Sequence, residues 1–191
     1  MSEQEEFAAE NARIRDDPRL LRDFVNTLER QTGDETLTSP EALADWFVDR
    51  GLAPRGTALR PGDLDIAIAL REGLRAQMLE HAGHPPDDDA AQALDAAAAL
   101  VPVRIGFAGG RYRLVAVRDE PAQAAFAALF DALRRTRESG EWERLKACSR
   151  DSCRWAYFDS SRNRSKRWCT MAGCGNHIKM RRARGGEPAL G

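Results

Sequence analysis

A mainly α-helical body with one small β-hairpin (α+β), followed by a compact cysteine-rich C-terminal module, is the fold class this sequence predicts. Three observations predict it. Through most of residues 1–140, apolar side chains recur at helical spacing. A short β-type interval around Gly109-Gly110 interrupts them. Charge and cysteine content then both switch near Ser139-Gly140. Residues 1–140 carry 17 Lys+Arg against 25 Asp+Glu, residues 141–184 carry 12 against 4, and all four cysteines lie in the second stretch.

Composition bounds the answer. The 191 residues are 42% hydrophobic and 31% charged, a globular balance with room for one full domain and a small appendage. No apolar run approaches the ~18 residues of a membrane helix, so no membrane partner is expected. The first residues, MSEQEEFAAE, are acidic and lack the apolar stretch of an export signal, which makes a cytoplasmic location the expectation.

Taken in chain order, Leu20, Leu21, Phe24, Val25 and Leu28 fall on one helical face. A second helix starts at Ser39 as N-cap with Pro40 in the first position, turns Leu43, Trp46 and Phe47 inward, and ends at Gly51. Residues 63–82 form a third, with Ile66, Leu70, Leu74 and Met78 as its buried stripe; Gly83 and Pro85-Pro86 stop it. Asp87, Asp88 and Asp89 sit where acidic side chains favour a helix start, ahead of an alanine-rich stretch to Leu100. Residues 101–107 and 111–117 predict the hairpin. After Pro121 the helical period returns with Phe126, Leu129, Phe130 and Leu133.

The body shows little catalytic chemistry. His81 and His84, three apart at a helix end, are placed better by the exposed carbonyls there than by a metal. Glycine-rich phosphate loops, G-x-S-x-G and H-E-x-x-H are absent from the sequence, so catalysis is not expected.

The module reads Cys148-x4-Cys153-x15-Cys169-x4-Cys174. Two close pairs can converge on one tetrahedral ion, and zinc suits four thiolates because it has no redox chemistry. Two disulfides, a redox switch and an iron–sulfur cluster are the alternatives; a chain without an export signal favours the metal. About forty residues so rich in cations cannot build a large core, which a structural metal would offset. Trp155, Tyr157, Phe158 and Trp168 are expected to pack around the site.

Between the pairs, Asp159 to Arg167 reads as a hairpin tip carrying Arg162, Asn163, Arg164, Lys166 and Arg167. A short helix from Gly175 to Arg184 would carry Lys179, Arg181, Arg182 and Arg184 on several sides, a pattern suited to phosphate walls of double-stranded DNA. Asn176 and His177 lie near its start, where base edges come within reach.

The stretch CRWAYFDSSRNRSKRWCTMAGCGNHIKMRRAR, with Cys148 upstream, closely resembles the CGNR zinc finger, whose pattern is D-[ST]-S-R-N-x-S-[RK]-R-W-C-[SD]-M-x-x-C-G-N-R-x-K-x-R-x-x-R. The resemblance spans about residues 148–184 and implies a treble-clef-like or ribbon-like zinc module holding one structural Zn2+ on Cys148, Cys153, Cys169 and Cys174. His177 stands where the family has Arg, which keeps a donor but loses the permanent charge and the bidentate fork. The body resembles the ABATE domain: Asp23-Phe24-Val25-Asn26-Thr27 matches its D-F-x-N-T signature. Pro40-Glu41-Ala42-Leu43 leading to Trp46, and Ala69-Leu70-Arg71-Glu72-Gly73-Leu74-Arg75, match its later helices.

These resemblances imply a transcription regulator with a body over 1–140 that senses a small molecule, a finger over 141–184, and a flexible tail at 185–191. Asn26, Thr27 and Arg71 could line the effector site, because polar groups on apolar faces need partners; they could equally satisfy one another inside the fold. A homodimer would match two-fold operators. The alternative function is a zinc-stabilised adaptor for an acidic protein or RNA, which basic charge alone does not distinguish from DNA binding.

Overall fold

The computed structural model describes residues 2–183, apart from the side chains of residues 178 and 181–183. Arg184 and the tail expected at 185–191 lie outside the described residues.

The chain opens with α1 (Glu3–Asn11), a helix the apolar period does not reveal, because the residue it buries is Glu10. Ser2 and Glu5 cap its start reciprocally. Next comes α2 (Asp16–Val25), which turns Leu21, Phe24 and Val25 inward. Leu28, expected on the same face, instead opens β1 (Leu28–Glu29), which pairs antiparallel with β2 (Asp34–Glu35). The Thr27 hydroxyl donates to the Phe24 carbonyl at 2.9 Å and offers the backbone a way out of the helix.

The expected capping at Ser39 is present: its hydroxyl accepts from the Ala42 N–H at the start of α3 (Pro40–Asp49). Gly51 follows at φ +67°, the left-handed region that favours glycine. The long helix α4 (Pro61–His81) buries Leu70, Leu74 and Met78, with Ile66 half-buried. Against it lies α5 (Asp88–Ala99), capped by Asp87, whose carboxylate accepts from the Ala90 N–H at 2.9 Å. The approach depends on Gly73, where a Cβ would sit 2.5 Å from that of Leu94.

The predicted hairpin forms from β3 (Val103–Gly106) and β4 (Arg113–Ala116), in register from Val103 opposite Ala116 to Gly106 opposite Arg113. Then α6 (Pro121–Glu138) lies against α2 and packs Phe126 onto Phe47, ring edge to ring face, at 5.4 Å. The body is therefore α+β as the sequence predicts. Its core does not stop at Gly140: Trp142, Leu145, Ala147, Ala156 and Phe158 belong to the same buried cluster.

Candidate metal centre

The module begins with a 3-10 turn, Trp142–Arg144, and a three-residue hairpin of β5 (Leu145–Ala147) and β6 (Ala156–Phe158). Alternation along these strands divides their labour. Leu145 and Ala147, Ala156 and Phe158 face the body, whereas Tyr157 faces the cysteines with Trp155 and Trp168 packed beside it. Phe158, expected around the metal, is thus carried to the other side of the strand by the period of two.

Cys148 and Cys153 occupy the loop between β5 and β6. There the Cys148 N–H donates to the Trp155 carbonyl, the Cys153 N–H donates to the Arg150 carbonyl, and Arg154 adopts a left-handed φ of +53°. Cys174 lies within a π-type turn, Met171–Gly175, that feeds α7 (Asn176–Ala183). Cys169 precedes that turn. One cysteine pair thus lies in the loop between two strands, and the other at the approach to a helix, an arrangement that fits a zinc module.

The four cysteines are buried, and their sulfurs all lie within 4.8 Å of one another. Zn–S bonds of about 2.3 Å in a tetrahedron place sulfurs roughly 3.8 Å apart, and the Cys153 and Cys169 sulfurs are separated by 3.8 Å. Hydrogen bonds from Cys148, Cys153 and Cys169, with a smaller one from Arg150, pull the Cys174 thiol well below its usual range. The reciprocal contacts, led by Cys148, push Cys169 far up. Four thiols this close cannot all ionise unless a cation joins them, which is the chemistry a structural zinc supplies. Among the described residues this is the one cluster of ligating side chains; His81 and His84 form none. His81 instead places Nδ1 2.7 Å from the Leu145 carbonyl, and its ring stands edge-on to Trp142.

The Asp159–Arg167 segment differs from the hairpin tip expected of it. The hairpin lies earlier, and this segment is an irregular loop folded onto two buried charges. Lys146 Nζ donates to Asp159 Oδ2 at 2.9 Å and to the carbonyls of Arg164 and Lys166, which engages all three of its protons. Asp159 also accepts from the N–H groups of Ser161 and Lys166. Burial pushes the Asp159 carboxyl up, but hydrogen bonds from Ser161 and Lys146 outweigh it and hold it below the usual carboxylate range.

Held this way, Arg162, Asn163, Arg164 and Arg167 are exposed, and Lys166 is half-buried over the Tyr157 ring. Asn176, His177 and Lys179 are exposed on α7. The Asn176 amide donates to the Ala172 carbonyl. The side chains of Arg181 and Arg182, like Arg184, lie outside the described residues.

No curated protein matches this chain. A family model named ABATE, described as a putative stress-induced transcription regulator, matches residues 19–136. The chain belongs to the ABATE family. A second model, the CGNR zinc finger, matches residues 144–185 of this ABATE chain, and with the four clustered sulfurs it establishes one structural zinc centre. Neither description is enzymatic. No helix among the described residues is long and apolar enough to cross a membrane.

The remaining residues singled out in the ABATE body meet protein partners. Asn26 donates to the Ala156 carbonyl at 2.8 Å and accepts the Ala156 N–H at 2.7 Å. Arg71 donates to Thr27 Oγ1 at 3.2 Å and to both Glu35 oxygens. Asn26 and Thr27 also border an open cleft of about 370 Å³ with Asp23, Asp45, Trp46 and Arg50; Arg71 does not reach it.

Several supporting residues carry no motif that separates them from surface charges. Glu6 of α1 accepts from the N–H groups of Met171 and Ala172, and Glu3 accepts from the Thr170 hydroxyl. Glu10 accepts the Phe158 N–H at 2.9 Å. Arg75, which does lie in a matched ABATE stretch, donates to the Arg154 carbonyl at 2.8 Å. An acidic helix outside both family matches therefore braces the turn that carries Cys174.

Proposed function

We propose that this ABATE protein is a DNA-binding transcription regulator, with the CGNR finger contacting double-stranded DNA and the body responding to a small molecule. The observation that carries it is a cluster of exposed or half-buried cations without carboxylate partners on the zinc module. In the body such cations are scattered among paired ones: Arg22, Arg30, Arg60, Arg71, Arg75, Arg134 and Arg135 pair with carboxylates, whereas Arg50, Arg55, Arg104, Arg113 and Arg137 do not among the described residues. On the zinc module, Arg162, Arg164, Lys166, Arg167 and Lys179 pair with none among the described residues. Cations held on a metal-fixed scaffold without internal partners are suited to phosphates, with Asn163, Asn176 and His177 as polar contacts beside them. Arg181, Arg182 and Arg184 continue the same basic run in the sequence. A homodimer would present two such modules to a two-fold operator.

The test is selection of pooled genomic fragments by the zinc-loaded protein at near-physiological salt. Enrichment of a few shared sites supports the regulator. Uniform, salt-sensitive retention, or none, overturns it in favour of an adaptor for protein or RNA. Lys179→Ala should lower the salt slope of binding by about one.

A further inference from the structure

One cavity in the body belongs to no site described above. It has a volume of about 530 Å³ and lies between α2, α4, α5, α6 and the β3–β4 hairpin. Leu70, Leu74, Leu114, Phe130 and Leu133 are among the apolar side chains that line it. From α5 it is lined by Leu94, Asp95 and the short Ala98. It opens to solvent, and its size lies within the range of small-molecule sites.

The charged residues of the lining are Asp95, Arg137 and Glu138, which are exposed, and Arg134, which is half-buried. Arg134 is neutralised by Asp131 at 2.8 Å and Glu138 at 2.7 Å. Arg137 differs. It donates to the neutral Gln77 amide oxygen at 3.1 Å and lies over the Trp142 ring at 5.1 Å, with no carboxylate partner among the described residues. Asp95 is an exposed carboxylate that water can satisfy, whereas a guanidinium gains a planar, charge-assisted pair from a ligand carboxylate.

We propose that this cavity is the effector site and that it takes a small amphiphile with an apolar body and a single carboxylate, the carboxylate meeting Arg137. The assignment deepens the effector reading above and rests on it for its regulatory meaning. The site is also placed to report occupancy. Trp142, under Arg137, stands edge-on to His81, which bonds the Leu145 carbonyl at the start of the strand leading to Cys148.

Titration calorimetry of the full zinc-loaded chain with decanoate and with decylammonium tests it, without DNA present. Decanoate should bind at one site and more tightly than decylammonium. Arg137→Gln should weaken decanoate about tenfold and leave decylammonium unchanged. Ala98→Phe, which fills the cavity, should weaken both; should that variant fail to fold, the exposed Arg137→Gln change still decides. Tighter decylammonium binding, no binding of either, or full decanoate affinity in Arg137→Gln overturns the proposal. A protein that binds decanoate but selects no DNA site would refute the regulator and keep the cavity assignment. One that selects DNA but binds no decanoate would do the reverse.

Discussion

Asn26 places both atoms of its side-chain amide on the backbone of Ala156, 130 residues later in the chain, donating at 2.8 Å and accepting at 2.7 Å. The amide acts as a one-residue strand beside β6, so the body satisfies a backbone edge of the zinc module that would otherwise be left without partners. The same side chain is one the sequence offers for an effector. Its geometry makes it a joint between the two matched regions.

Asn26→Ala should destabilise the protein by about 2 kcal/mol, since it leaves a buried donor and acceptor unsatisfied. Urea unfolding of the zinc-loaded protein measures it. A change within a few tenths of a kcal/mol would mean that water replaces the amide freely.

Lys146→Met removes one half of a buried ion pair and leaves Asp159 without its cation. The expected loss is about 3–5 kcal/mol. The 159–167 loop should become accessible to trypsin at Arg162, Arg164 and Arg167, and DNA affinity should fall although every exposed cation remains. Intact protease resistance would show that Asp159 and its backbone donors suffice to hold the loop.

Zinc removal should unfold the module, because apparent binding energies of about 10–16 kcal/mol for structural zinc act as folding energy. Since Leu145, Ala147, Ala156 and Phe158 are shared with the main core, the melting temperature of the body should also drop. Circular dichroism before and after verified metal loss checks both. An unchanged melting curve in the metal-free protein would contradict the shared core.

Glu72 gives a pH signature. Burial pushes its carboxyl up, but Arg75 and Arg71, with a hydrogen bond from Arg30, outweigh burial and hold it below its ordinary value of 4.5. A depressed folded value means that the unfolded chain takes up the proton first. The stabilisation is thus complete above the ordinary carboxylate range and is lost as pH falls through the folded value. Wild type should exceed Glu72→Gln in urea midpoint at pH 6–8, with the difference shrinking toward pH 4 and below. A constant difference would assign Glu72 a role independent of its charge.

Local chemistry made much of this protein legible without coordinates. Ser39, Pro40 and Gly51 bound α3 because capping and φ preferences act within a few residues. Gly109-Gly110 marks the hairpin for the same reason. Cysteine spacing points to zinc because ligand number and chemistry constrain the ion, and the CGNR and ABATE motifs lie in contiguous stretches. By itself, then, the sequence determined the helical class, the zinc ligands and the concentration of cations at the C-terminus.

Tertiary structure alone decided which charges are free and which are engaged. Lys146 looks like one more cation of a basic segment until Asp159 and two carbonyls close around it. Glu3, Glu6 and Glu10 look like an acidic leader until they meet Thr170, Met171, Ala172 and Phe158. Phe158 and Tyr157, adjacent in sequence, separate onto two cores because strand pairing sends successive side chains to opposite faces. The apolar cavity arises only where four helices and a hairpin meet. Each of these depends on contacts between residues distant in the chain, and a residue's type does not encode which distant partner reaches it.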